Sequence, residues 1–290
     1  VEANAAPNIN FASEATLRLH MREDHHMCGR YAASKNPADL VEEFEVVIAP
    51  EKVLKPDYNV APTKFVYAIM DRRPRDETAT LDGAGLSSDV RRELAIVKWG
   101  LVPSWAKDPA IGNKMINARM ETVAEKPSYK RAFAKRRCIL PADGYYEWYT
   151  PSDGPKGKNG KPLKQPFFIH PTDGSSLAMA GLYEFWRDPS REDDDPYAWL
   201  TTVTVLTTTA EDSLGQIHDR MPLLVERDRW ADWLNPEIDG NQSDPRELLV
   251  PAAPGLLTAY PVSTLVNDVR HNGPELLDPI PLDQEADGLF

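Results

Sequence analysis

Residues 138–149, CILPADGYYEWY, contain two short apolar and aromatic runs, Cys138–Leu140 and Tyr145–Tyr149. Both read as strands, because such side chains suit a pleated, half-buried surface. The pattern continues in both directions. Upstream, Phe65–Met70 and Leu94–Leu101 read as strands; downstream, so do Phe167–His170, Leu177–Phe185 and Trp199–Thr208. Helices fall between them. Asn36-Pro37-Ala38-Asp39 opens one, with Leu40, Val41 and Phe44 as its apolar stripe. Ser128–Arg136 reads as a short basic helix, and Glu211–Ile217 and Arg227–Leu234 as two more, the last stopped at Asn235-Pro236. Strands and helices interleave without a regular βαβ rhythm. The class is therefore α+β in a single domain.

The 290 residues suffice for a substantial core, and 41% apolar with 27% charged residues is an ordinary globular composition. No apolar run reaches the roughly 18 residues of a membrane helix. Two cysteines, Cys28 and Cys138, make no disulfide framework and suit a reducing, cytoplasmic compartment. The 26 prolines against 16 glycines point to many loops and turns. Asp71–Arg92 reads as a surface insertion, and 151–165 and 187–196 as further loops. Residues 1–26 have neither an apolar core nor an Arg/Ser bias, so they are no targeting signal. They read as an extension absent from the active protein and poorly ordered when present.

Four segments are dense in reactive side chains. Met27-Cys28-Gly29-Arg30-Tyr31 would leave Cys28 with a free α-amine if the chain began there. An amine of pKa near 7.7–8.0 would then sit beside a thiol of about 8.5, both partly active near neutrality. The alternative for Cys28 is a small buried hydrophobe. Residues 99–121 hold Trp99 and Trp105, then Asn117, Arg119 and Glu121 alternating on one face of an extended segment. The tryptophans are either base-stacking platforms or core. Over 114–137, eight Lys and Arg face two Glu, a local charge of +6 within a chain of net −12. That density fits either a polyanion site or a solvated helix face. Finally, Glu147 lies among aromatics in GYYEW, which should raise its pKa, and His218 in QIHDRMP titrates near neutrality. No metal-ligand spacing and no phosphate loop appear, so neither metal nor cofactor is expected.

Six stretches in order, MCGRY (27–31), YNVAPT (58–63), WGLVPSW (99–105), INARMET (116–122), CILPADGYYEW (138–148) and IHDRMP (217–222), resemble the SOS response-associated peptidase (SRAP) family. Its members crosslink themselves to abasic sites in single-stranded DNA. The resemblance implies a β-barrel-like core of mixed and antiparallel strands with peripheral helices over residues 27–252, followed by a C-terminal strand and tail at 253–290. It implies Cys28 as nucleophile, with amine and thiol closing an abasic aldehyde into a thiazolidine. Glu147 and His218 become the acid/base pair, and Asn117 orients the sugar or the N-terminus. Arg30 and Arg119 would hold phosphates, with Asn59, Pro62, Trp99 and Trp105 along the DNA path. The partner implied is abasic single-stranded DNA, met by a monomer in the cytoplasm, at the nucleoid. Residues before Cys28 must then be absent, through an upstream mis-start or self-cleavage, since an amide cannot form the imine. Glutamine amidotransferases also begin Met-Cys-Gly, so an N-terminal-nucleophile amidohydrolase is the rival. A cysteine peptidase and a non-catalytic single-strand-binding module are the other readings.

Overall fold

The computed structural model describes residues 28–73, 90–151, 155–157, 160–192, 194–210, 214–215, 217–239 and 243–281. The extension 1–26, most of the 71–92 insertion, and parts of the 151–165 loop and the 211–217 helix lie outside those residues. In chain order the elements are β1 (Tyr31–Ala33), α1 (Pro37–Glu43), β2 (Asp57–Val60), β3 (Phe65–Arg72), β4 (Arg91–Trp99), β5 (Asn117–Arg119), α2 (Lys130–Lys135) and β6 (Arg137–Ala142). There follow β7 (Gly144–Tyr149), β8 (Gln165–Pro171), β9 (Leu177–Arg187), β10 (Trp199–Thr209), β11 (Arg220–Pro222), α3 (Trp230–Leu234) and β12 (Leu257–Pro261).

Five strands close on one another. β3 pairs β4 and β6, β6 pairs β9, β9 pairs β10, and β10 returns in parallel to β4. The result is a small mixed barrel in one α+β domain, as expected. β5 adds to β10 in parallel and β11 adds to it antiparallel. A second, antiparallel sheet runs β12-β8-β7-β1-β2.

The alternation along β3 shows how the layers are sorted. Tyr67 and Ile69 face a core shared with Leu40 and Phe44 of the α1 region and Trp230 and Trp233 of the α3 region. Val66, Ala68 and Met70 face the opposite core, shared with Tyr31, Val60, Tyr145 and Ile169 of the second sheet. This is the period-2 geometry of a strand buried on both faces. α1 starts as its sequence dictates: Asn36 accepts from the Ala38 N–H at 2.9 Å and Pro37 takes the first turn. The basic helix is shorter than expected, Lys130–Lys135, and Arg227–Arg229 forms a 3₁₀ turn ahead of α3.

Two glycines shape the approach to the site. Gly100 has φ 121°, where only glycine is comfortable, and turns the chain out of β4 after Trp99. A Cβ on Gly144 would lie 2.6 Å from the Ile169 carbonyl, so glycine there lets β7 lie flush on β8. β7 pairs β1 on its other side, Tyr145 opposite Tyr31 and Gly144 opposite Ala32. That pairing carries the chain just before β1 onto Glu147.

Candidate active site

Cys28 lies where β1 begins, and its backbone N–H donates to Glu147 Oε1 at 2.7 Å. Its carbonyl accepts from Asn117 Nδ2 at 3.4 Å, and Tyr129 Oη donates to the Asn117 carbonyl at 3.2 Å. Asn117 is held in turn by β5, which pairs Val205 of β10. Cys28 has φ 40°, in the left-handed region that costs a non-glycine residue about 1–2 kcal/mol. The hydrogen bonds at both ends, and a side chain that is 1% exposed, hold it there. Three residues far apart in sequence thus meet around one backbone unit.

Burial sets the electrostatics. The Glu147 carboxyl is pushed up to about 8 by desolvation, against the opposing hydrogen bonds from the Cys28 and Trp148 N–H groups. It is mostly protonated at neutral pH. Burial likewise pushes the Cys28 thiol well up, with Glu147 adding to the effect. With Cys28 inside the chain the sulfur is therefore S–H; the expectation of a partly ionised thiol concerns the form that begins at Cys28. Desolvation pulls His218 below its ordinary 6.5, so its ring is neutral at pH 7. His218 Nδ1 faces the Arg220 N–H at 3.1 Å and Asp219 Oδ1 at 3.2 Å.

Glu147 and His218 line one cavity of about 780 Å³, together with Gly29, Arg30, Pro62, Ile116, Trp148 and Lys164. Thr264, Asn267 and Val269 form its remaining wall. Cys28 sits directly behind Gly29 and Glu147. Arg119 and Asn117 share a face of β5, with Ala118 buried on the other, and Arg119 is exposed. Trp105 is 61% exposed and stands outside the cavity lining.

Several expected DNA contacts are structural instead. Trp99 is 0% exposed, packs on Tyr31 at 5.1 Å and donates from Nε1 to the Ile116 carbonyl at 2.9 Å, so it cannot stack on a base. Asn59 is also fully buried, its Nδ2 donating to the carbonyls of Val266, Asp268 and His271. Arg30 lines the cavity, but its Nη1 donates to Asn59 Oδ1 and the Val266 carbonyl, both at 2.7 Å. Within the basic run, Arg137 is 3% exposed and donates to the carbonyls of Phe133, Ala134, Trp233 and Asn235. Arg136 is paired with Glu184 at 2.6 Å. Arg136 and Arg137 therefore stitch the fold together, whereas Lys126, Lys130, Arg131 and Lys135 are exposed.

Four lining or neighbouring residues were not singled out from sequence. Trp148 and Arg220 lie inside quoted motifs, beside Glu147 and His218. Arg220 is buried, bonded to both oxygens of Glu121 and to the Thr207 carbonyl, and this pairing lowers the Glu121 carboxyl. Lys164 lies in the 151–165 loop, which reads in the sequence only as a loop. Asn267 is brought in by the C-terminal segment and had no sequence signal.

The model of the family described as SOS response associated peptidase (SRAP) matches residues 27–269. The chain is 37% identical over 256 residues to the abasic site processing protein YoqW of Bacillus subtilis, covering 87% of this chain and 99% of that protein. It is 32% identical over 265 residues to the abasic site processing protein YedK of Escherichia coli, covering 88% of this chain and all of that one. A crystal structure of a protein from Bacteroides thetaiotaomicron superimposes with a TM-score of 0.67 at 24% identity, covering 88% of this chain and 100% of that one, and shows the same fold.

Proposed function

The chain belongs to the SOS response-associated peptidase (SRAP) family, and from that premise we propose that it captures abasic sites in single-stranded DNA covalently, through Cys28. The observation that carries the reading is the 2.7 Å contact between the Cys28 nitrogen and Glu147 Oε1 at the edge of a cavity shared with His218. A desolvated carboxyl beside the nitrogen that must react is suited to moving protons near neutral pH.

The chemistry needs a primary amine, so the reactive form begins at Cys28. The ring-opened abasic sugar presents an aldehyde carbon. The α-amine attacks it to form a carbinolamine, Glu147 donates the proton with which the hydroxyl leaves as water, and the nitrogen then returns its proton to the Glu147 carboxylate. The resulting imine carbon then accepts Cys28 Sγ. A C–S bond forms, the thiol proton passes to the nitrogen, and a neutral five-membered thiazolidine results. Amine and thiol share one residue, so the second step is intramolecular and gains from a high effective molarity. Asn117, bonded to the Cys28 carbonyl, holds the residue against rotation, and the His218 ring, in the cavity lining, is available to the sugar oxygens. Arg119, exposed on β5, and Lys164, in the cavity lining, offer charge to flanking phosphates. Pro62 and Trp148 offer apolar surface to the neighbouring bases.

Self-cleavage before Cys28 belongs to the same proposal: Cys28 Sγ attacks the Met27 carbonyl, the Met27–Cys28 amide breaks as the acyl group shifts to sulfur and the nitrogen takes the thiol proton, and water hydrolyses the thioester, freeing the leader as a carboxylate and restoring the thiol. The site of action is nucleoid DNA in the cytoplasm, met by one copy of the chain. Incubating the Cys28-initiated protein with an oligonucleotide carrying one abasic site, and with its intact counterpart, tests the reading on a denaturing gel. A band shift confined to the abasic strand and lost in Cys28→Ser supports it. Equal shifts on both strands, or none, count against it.

A further inference from the structure

The segment after β12 is not peripheral to the cavity but is one of its walls, and it is fastened there by residues of the reactive half. Asn59 Nδ2 holds three of its carbonyls, at 3.2, 3.1 and 2.9 Å, and Arg30 Nη1 holds the Val266 carbonyl. Tyr58 donates its backbone N–H to Asn272 Oδ1 at 2.6 Å. On this fixed segment, Asn267 Oδ1 accepts from Trp148 Nε1 at 2.6 Å, 119 residues away. Trp148 immediately follows Glu147, is only half-buried, and carries the Arg30 guanidinium 5.8 Å from its ring centroid. Trp148 and Asn267 both line the cavity that contains Glu147 and His218. A half-exposed indole has several rotamers of similar energy, and these two contacts select one.

We propose that Asn267 is a positioning residue for DNA capture: its side-chain carbonyl fixes the indole of Trp148 as a platform for the base beside the abasic nucleotide. The proposal rests on the DNA-capturing reading above and assigns that reading a determinant in the C-terminal segment. Asn59 and Arg30 then serve the DNA indirectly, by anchoring the wall that carries Asn267. The bound base is recognised by its π-face alone, so capture tolerates any neighbouring base.

A double-mutant cycle between Asn267→Ala and Trp148→Phe tests this, the second change keeping an aromatic ring but removing the N–H donor. Crosslinking rate is measured against concentration of an abasic oligonucleotide, with thermal melting to confirm that each variant is folded. Base–aromatic stacking weakens with a misplaced ring, so Asn267→Ala is expected to raise the half-saturating DNA concentration about tenfold, with the maximal rate changed less than about twofold. In the Trp148→Phe background the same change is expected to have no further effect. Effects that multiply, an unchanged half-saturating concentration, or a loss of maximal rate alone would overturn the assignment. Failure of the underlying reading looks different: wild type itself forms no adduct. If Asn267→Ala melts too early to assay, Asn267→Asp keeps the acceptor, and at about 0.5 M salt, where its charge is screened from the DNA, it is expected to match wild type measured at the same salt; an equal loss in both variants overturns the proposal.

Discussion

Glu147 Oε1 accepts a hydrogen bond from the backbone nitrogen of Cys28 at 2.7 Å, joining the middle of β7 to the residue that leads into β1. The antiparallel pairing of Tyr31 with Tyr145 brings the segment before β1 alongside β7, within reach of the Glu147 side chain. The reactive nitrogen is thus placed by the main chain, and its proton carrier by a side chain that burial holds in place.

With the preceding residues attached, the Glu147 carboxyl sits at about 8 against an ordinary 4.5. Between those values the folded chain keeps a proton that the unfolded chain has lost, so stability falls as pH rises through that window. Glu147→Gln lacks the linkage. Its melting temperature relative to wild type is expected to rise steadily from about pH 5 to about pH 8. A difference that stays flat with pH would show that Glu147 is not buried as an ionisable acid.

Proton transfer predicts a separation of binding from chemistry. Glu147→Gln and His218→Ala are each expected to slow crosslinking by about 10²–10⁴-fold while binding intact single strands normally. Because desolvation lowers His218 below 6.5, wild-type rate should inflect on the acid side of that value, and His218→Ala should lose the inflection. Single-turnover rates across pH 5–8 check this. Wild-type rates in both variants would make the two residues structural.

The arginines divide into two groups with opposite signatures. Exposed Arg119 is expected to contact phosphate, so Arg119→Gln should reduce the slope of log K against log[salt] by about 0.7. Buried Arg137 donates to four carbonyls, and Arg137→Gln should cost about 2–4 kcal/mol of stability by leaving them unsatisfied, with the salt slope unchanged. Binding titrations at several ionic strengths and a denaturant melt separate the groups. An unchanged slope for Arg119→Gln removes it from the DNA path.

The α+β class and most long strands were legible, because alternation in β3 and the apolar runs of β6, β9 and β10 reflect burial directly. The helix at Pro37 was announced by its own cap. Strands of three or four residues, such as β1, β2 and β11, were not read as strands, since so short a run carries no period and is stabilised by its partners. The motif residues that meet at the site, Cys28, Asn117 and Glu147, stood out through residue type and resemblance. Burial did not stand out. Trp99 and Asn59 occupy quoted motifs yet serve the core, and Arg137 ends a basic run yet points its donors inward. Asn267 was invisible because its role arises from a fold-back that a linear pattern does not encode.

The most direct test of the account is the intact mass of the Cys28-initiated protein after incubation with an oligonucleotide carrying one abasic site. The account predicts a single adduct equal to protein plus DNA less one water, absent when the α-amine is acetylated and reduced to a labile imine in Cys28→Ser. A stable adduct formed in undiminished yield by Cys28→Ala, or by protein that still carries a peptide bond at the Cys28 nitrogen, would contradict it.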